Sequence, residues 1–161
     1  MSRVGWGFDA HRFGGTGPLK LCAIDVNSGR SLAGTSDADV ALHAVMDALL
    51  GAAALGDVGE HFASADPRWA NADSGDLTRK VVAMIKRASF AVVSVDITII
   101  SESVRVASHR SAMRQALAAL LGVELTAVSV KATSTDGLGF TGRDEGIAAM
   151  AVATLDPDDQ A

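Results

Sequence analysis

The stretch Ser36 to Leu50 constrains this chain more than any other. From Val40 to Leu55 nearly every residue is apolar or small, so a helix here must be covered on several sides. Ser36, with Asp39 three positions on, comes close to a capping box. Asp37 and Asp39 suit the positive end of a helix dipole. The spacing therefore predicts a helix that starts at Ser36. Its polar exceptions are informative. Asp39, His43 and Asp47 lie four apart and share a helical face. Each buried polar group left unpaired costs about 1–3 kcal/mol, so such a stripe needs partners. A core histidine satisfied by its helical neighbours is the plain reading.

The N-terminus adds a second reading. Val4-Gly-Trp-Gly-Phe-Asp9-Ala-His11 reads as a first strand ending in Asp-x-His. An extended backbone turns Asp9 and His11 to the same side. Two imidazoles and one carboxylate suit zinc, and three ligands leave a fourth position open for chemistry. Asp-x-His alone is a weak signal; a histidine inside a dry helix strengthens it.

Bulk properties exclude several classes. A chain of 161 residues is one domain by length, expected over 1–155 with a polar tail at 156–161. Charged residues make up 20% and no long charge run occurs, so the chain is globular. A net charge of −5 without a basic stripe argues against a nucleic-acid partner. With two Trp, five Phe and no Tyr, the core must be built from Ala, Val, Leu and Ile. The single Cys22 sits in an apolar run and reads as a buried thiol. No signal peptide is recognisable and no apolar run approaches the ~18 residues of a membrane span. The expectation is a soluble, cytoplasmic protein with no membrane partner.

Further elements follow from periodicity. Strands are predicted over 3–9, 19–26, 91–100, 127–133 and 146–155, with a turn at Asn27-Ser-Gly-Arg30 making a hairpin. Asp73-Ser74 caps a helix whose apolar positions are Leu77, Val81, Met84 and Ile85. Ser108 caps another that Gly122 stops. The Gly-rich run at 12–18 lacks the Lys-Ser/Thr ending of a P-loop. His61 is expected at the surface. Strands and helices mingle, which predicts an α+β fold: a mixed sheet with helices on one face. Val92, Val93, Val95, Ile97 and Ile99 place apolar groups on both faces of one strand, which predicts a homo-oligomer covering the open face.

Four motifs occur in order: Gly-Phe-Asp-Ala-His-Arg-Phe, Ser-Asp-Ala-Asp-Val-Ala-Leu-His, Leu-Gly-Asp-Val-Gly, and Val-Lys-Ala-Thr followed by Leu-Gly-Phe-Thr-Gly-Arg. On these the chain resembles the 2-C-methyl-D-erythritol 2,4-cyclodiphosphate synthases of the non-mevalonate isoprenoid pathway, from about Val4 to Leu155. The resemblance implies a homotrimer with sheets packed around a central axis and active sites between subunits. It implies a lyase-type cyclisation. In 4-diphosphocytidyl-2-C-methyl-D-erythritol 2-phosphate, the 2-phosphate attacks the β-phosphorus and CMP leaves.

By the same resemblance Asp9, His11 and His43 match the ligands of a divalent metal, usually zinc. Asp136 matches the carboxylate that holds a second ion, Mg²⁺ or Mn²⁺. Asp57, Val58 and Gly59 match the methylerythritol pocket, with Phe62, Ala63, Ser64, Ala65 and Asp66 beside it, and Ser36 matches a substrate-binding position. Ser101, Glu102, Ser103, Val104, Arg105, Val106 and Ala107, with Thr133, Ser134, Thr135 and Asp136, match the cytidine-phosphate site of the neighbouring subunit. Phe140 and Arg143 match positions near substrate and axis, with an ion pair from Arg143 to Asp144 or Glu145 as the structural alternative.

The chain also departs from the family pattern. Thr35 stands where a histidine credited with transition-state stabilisation is usual. Ser134 replaces a threonine at the other catalytic position. Ala63-Ser64-Ala65 replaces Pro-Asp-Thr, and Val104-Arg105 replaces Pro-Lys. Losing one transition-state donor typically costs ~2.7–4 kcal/mol. Two other readings stay open: a metal-dependent hydrolase of a diphosphate nucleotide, and a non-catalytic trimer that binds a diphosphate.

Overall fold

The structure is a computed structural model and describes residues 1–158. Strand β1 (Arg3–Arg12) leads to a short hairpin, β2 (Leu19–Leu21) and β3 (Ile24–Val26). Helix α1 (Val40–Ala53), the single turn α2 (Val58–His61) and helix α3 (Ser74–Arg87) follow. Then come β4 (Phe90–Ile100), α4 (Arg110–Leu121), β5 (Val128–Thr133), the turn α5 (Gly139–Gly142) and β6 (Gly146–Pro157).

The main sheet has the order β1-β6-β4-β5, with β4 and β5 parallel and the other pairs antiparallel. This is the expected mixed α+β arrangement. Helix α1 lies across β1 and β6, and the strands under it carry small residues for a reason. A Cβ on Gly5 would meet the Ala48 carbonyl oxygen at 2.0 Å, and one on Gly7 the Ala44 oxygen at 2.0 Å. The alanine-rich helix therefore rests backbone against backbone on Gly-x-Gly. Leu42, Met46, Leu49 and Leu50 fill the space on its other sides and are fully buried.

The opposite sheet face is apolar and open. Trp6 is 58% exposed and Phe8 43%, and across the ladder Trp6 faces Val152 while Phe8 faces Met150. Val95, Ile97 and Ile99 of β4 point into the core, whereas Val93 faces out beside a bulge in the β4–β6 pairing. No helix among the described residues is long and apolar enough to cross a membrane.

Several expectations need correction. Helix α1 starts at Val40, not at Ser36: Ala38 sits at φ 57° and Asp39 is the N-cap, accepting from the Leu42 N–H. Asp39 therefore does not share a face with His43. Its fully buried carboxylate turns the other way and accepts the N–H groups of Cys22 at 3.0 Å and Ala23 at 2.7 Å. Second, those two residues break the strand expected over 19–26 into a hairpin, both with positive φ (54° and 63°). The carboxylate holds a turn whose own residues do not favour it. Third, α4 begins at Arg110, and His109 precedes it without any side-chain cap, so Ser108 is not the cap. Strand β6 also outlasts residue 155: Asp156 pairs with Ala91 and Pro157 with Phe90. The rest of the expected tail, 159–161, lies outside the described residues.

Candidate active site

The C-terminal end of strand β1 and the first turn of α1 converge. Asp9 Oδ2 lies 2.9 Å from His11 Nε2 and 3.0 Å from His43 Nδ1, and the two ring nitrogens are 3.2 Å apart. Among the described residues these three side chains are the one group placed to share a metal ion.

The outer nitrogens explain why the inner ones face each other. His11 Nδ1–H donates to the Ala33 carbonyl at 2.9 Å, which leaves a lone pair on its Nε2. His43 Nε2 lies 3.2 Å from Ser74 Oγ and 3.3 Å from Ser36 Oγ, which leaves a lone pair on its Nδ1. With the carboxylate, three acceptors point at one spot, and a cation satisfies such a set. Zinc bonds of ~2.0–2.1 Å in tetrahedral geometry separate ligand atoms by roughly 3.3 Å, close to the triangle observed. The residues thus fit a divalent ion.

Electrostatics agree. Burial disfavours the Asp9 carboxylate, but hydrogen bonds from His11 and His43 outweigh it and hold the group well below the usual range. Burial also disfavours charge on His11, yet its bond to Asp9 and the Asp9 charge raise its proton affinity above an ordinary imidazole. Without an ion, a proton on His11 Nε2 bonded to the Asp9 carboxylate stands in for it.

A cavity of ≈ 220 Å³ surrounds the triad and is lined also by Thr35, Ser36, Val58, Gly59, Phe62 and Ser64. The structure thus brings together the metal-ligand candidates and most of the expected methylerythritol pocket. Trp69 and Leu77 line it too. Nothing in their local sequence sets them apart from core residues. Asp57 caps α2 by accepting the Glu60 N–H, and Asp66 is taken up by Arg68. Ala63 and Ala65 are exposed on the flanking loop. Asp47, on the face after His43, accepts the Val58 N–H at 2.8 Å and so holds the pocket wall. His61 is half-buried, with Nε2 on the Leu55 carbonyl, and is not at the surface as expected.

A second cavity of ≈ 310 Å³ is lined by Ser101, Val104, Arg105, Val106, Ala107, Thr133 and Ser134. Arg110 also lines it, a cation that reading Ser108 as a cap obscured. This lining shares no residue with the first. Ser103 turns away to Asp144, Glu102 keeps one buried oxygen unpartnered, and Thr135 bonds Thr141. Asp136 is exposed at φ 56°, its N–H directed at Ser134 Oγ, and lines neither cavity. Phe140 instead borders His11 from a smaller pocket. Arg143 pairs with Glu145 at 2.9 Å, the structural alternative to anion binding, while Asp144 pairs with Arg30. A further cleft of ≈ 590 Å³ between Gly14–Thr16 and Gly34–Asp37 holds no converging ligand set among the described residues.

A mixed sheet backed by a buried helix, with three potential ligand atoms gathered where the end of β1 meets α1, defines a small α+β protein with a candidate metal site. The chain belongs to the YgbB family, which matches it over residues 2–156. The 2-C-methyl-D-erythritol 2,4-cyclodiphosphate synthase of Symbiobacterium thermophilum is 50% identical over 152 residues, covering 94% of this chain and 97% of that one. The bifunctional IspDF of Campylobacter jejuni superposes with a TM-score of 0.95 at 34% identity, over 99% of this chain and 43% of that one. A CDP-bound 2C-methyl-D-erythritol-2,4-cyclodiphosphate synthase superposes with a TM-score of 0.87 at 29% identity, over 96% of this chain and 100% of that one. The chain spans about two fifths of the length of the bifunctional IspD/IspF relatives that it matches.

Proposed function

We propose that this chain is a 2-C-methyl-D-erythritol 2,4-cyclodiphosphate synthase. It cyclises 4-diphosphocytidyl-2-C-methyl-D-erythritol 2-phosphate and releases CMP. The observation that carries the reading is the set of three lone pairs from Asp9, His11 and His43 inside a cavity with room for a sugar phosphate. The likeness to synthases at 50% identity and to a CDP-bound one supports it.

Phosphoryl transfer asks a protein for position and for charge neutralisation. A divalent ion, zinc by its donor set, supplies Lewis acidity to a diphosphate oxygen when bound. Val58, Gly59 and Phe62 hold the methylerythritol so that its 2-phosphate faces the β-phosphorus in line. Ser101, Thr133, Ser134 and Arg105 take the cytidine phosphate and offset its charge as CMP leaves. Asp136, exposed at the surface, is the carboxylate that would hold a second ion, Mg²⁺ or Mn²⁺, which would offset phosphate charge.

The two cavities share no residue, and the open apolar sheet face needs cover. Both features support a homotrimer in which one subunit's 101–107 segment meets the next subunit's metal centre. A trimeric mass by light scattering is expected, and a monomer would overturn this part. A single domain acting in the cytoplasm completes the reading.

The test is direct. Protein incubated with the substrate and a divalent ion is expected to release CMP and a cyclic diphosphate, and to stop when the ion is chelated. No CMP would sink the assignment, and a linear product would favour the hydrolase. Thr35, exposed at the pocket mouth, can donate a hydrogen bond but cannot carry charge. Thr35→His is therefore expected to leave the rate equal or raise it up to the ~10²–10³-fold that one such donor supplies. A sharp fall in kcat would mean that the neighbouring loop has adapted to threonine.

A further inference from the structure

His43 approaches the ion position through Nδ1, so its ring must be held from the far side, at Nε2. Two hydroxyls stand there, Ser74 Oγ at 3.2 Å and Ser36 Oγ at 3.3 Å. They are not equivalent. Ser36 is partly exposed, lines the substrate cavity and accepts the Ala38 N–H at 3.2 Å. Ser74 is fully buried, and its own proton is committed: Oγ–H donates to Asp37 Oδ1 in a short hydrogen bond. Asp37 Oδ2 also accepts the Ser74 backbone N–H at 3.1 Å, so one carboxylate grips the serine twice. Asp37 is in turn fixed by its N–H on the Ala72 carbonyl at 3.1 Å and by Lys20, 3.7 Å away.

Capping does not explain Ser74. Asp73 is the N-cap of α3 and accepts the Asp76 N–H, so an alanine at the next position would serve the helix as well. A buried hydroxyl aimed between a carboxylate and an imidazole has a different use. With its hydrogen on Asp37, Ser74 Oγ can only accept from His43, which keeps the proton on Nε2 and the lone pair on Nδ1.

We infer that Ser74 is a positioning residue of the metal centre: a relay Asp37–Ser74–His43 fixes the tautomer and aim of His43. It rests on the metal-centre reading above. Serine thus fills the place that a carboxylate or carbonyl fills behind most metal-bound histidines, as the Ala33 carbonyl does behind His11. Ser36 is left free to turn toward substrate.

Zinc affinity by competition with a chromophoric chelator tests this, together with the visible absorption of the cobalt(II)-loaded protein. S74A is expected to bind zinc about 10–100-fold more weakly and to shift the cobalt bands. S74T, which restores the hydroxyl, is expected to recover both. S36A is expected to keep wild-type zinc affinity. Wild-type affinity and an unchanged cobalt spectrum in S74A would overturn the relay, as would an S36A loss as large as that of S74A. Should S74A fail to fold, D37N decides, since it keeps the serine but removes the charge behind it: weaker zinc supports the relay and unchanged zinc overturns it. If the wild-type protein and H43A bind zinc equally, the metal centre itself is wrong and the relay falls with it.

Discussion

Replacing His43 by alanine is expected to abolish stoichiometric zinc loading and to lower CMP release by about 10³-fold or more. Lewis-acid stabilisation of a phosphoryl oxygen is worth several kcal/mol, and ~4 kcal/mol is about three powers of ten in rate. Two ligands, Asp9 and His11, remain in the variant and do not close a site. The fold is expected to survive. His43 is half-buried, alanine is the best helix former, and the Ser74 hydroxyl keeps its bond to Asp37. Metal analysis after dialysis, a thermal melt and a CMP assay check the three parts. Zinc retained at one per chain in H43A would refute the ligand assignment.

The largest loss of stability is expected at Asp39, which touches no substrate. Its carboxylate accepts three backbone N–H groups, from Cys22, Ala23 and Leu42. It joins the hairpin turn to the first turn of α1 while fully buried. Asp39→Ala orphans all three donors at ~1–3 kcal/mol each, partly relieved by relaxation, so about 3–5 kcal/mol of stability should go. A shift in the urea midpoint measures it, and a loss under ~1 kcal/mol would contradict the account.

Asp39→Asn is the gentler variant. One amide oxygen keeps Cys22 and Leu42, and the Ala23 N–H is lost. The pH dependence of the wild type follows from burial, which raises the carboxyl above its ordinary 3.8 against the opposing backbone bonds. A raised folded-state value means that the folded chain binds this proton more tightly than the unfolded one. The contribution is therefore full below 3.8 and is lost as pH climbs through the raised value. The stability gap between wild type and Asp39→Asn should narrow as pH rises from acid, and a gap that widens would reverse the sign.

Much of this site could be read from local pattern. Asp9 and His11 face one way because an extended chain repeats every two residues, and no distant contact is needed to say so. The β-branched run at 91–100 and the glycine after Leu121 announced β4 and the end of α4 in the same way. His43 stood out because an imidazole in a dry helix needs partners. The stripe Asp39–His43–Asp47 misled for a related reason. Equal spacing implies a shared face only inside the helix, and Asp39 is the residue before it begins.

One local signal pointed elsewhere than the structure does, and a second was right about the helix start but silent about the side chain. Cys22 and Ala23 are poor turn formers, so the hairpin looked as though it should turn at 27–30. The donor-hungry Asp39 carboxylate, 17 residues away from Cys22, imposes the tighter turn. Ser74 reads as a helix start, and only by following the ring of His43, 31 residues away, does its hydroxyl acquire another task.

Periodicity within single segments was enough to bring two ligands to a strand tip and a third onto a covered helix. What stands behind each ligand was settled by packing. The Ala33 carbonyl and the Ser74 hydroxyl reach the outer nitrogens through contacts 22 and 31 residues long, made where the Ala33 segment and the start of α3 abut the ligands. Hydrogen-bond direction depends on which chain segments meet in space, and spacing along one segment carries no record of that.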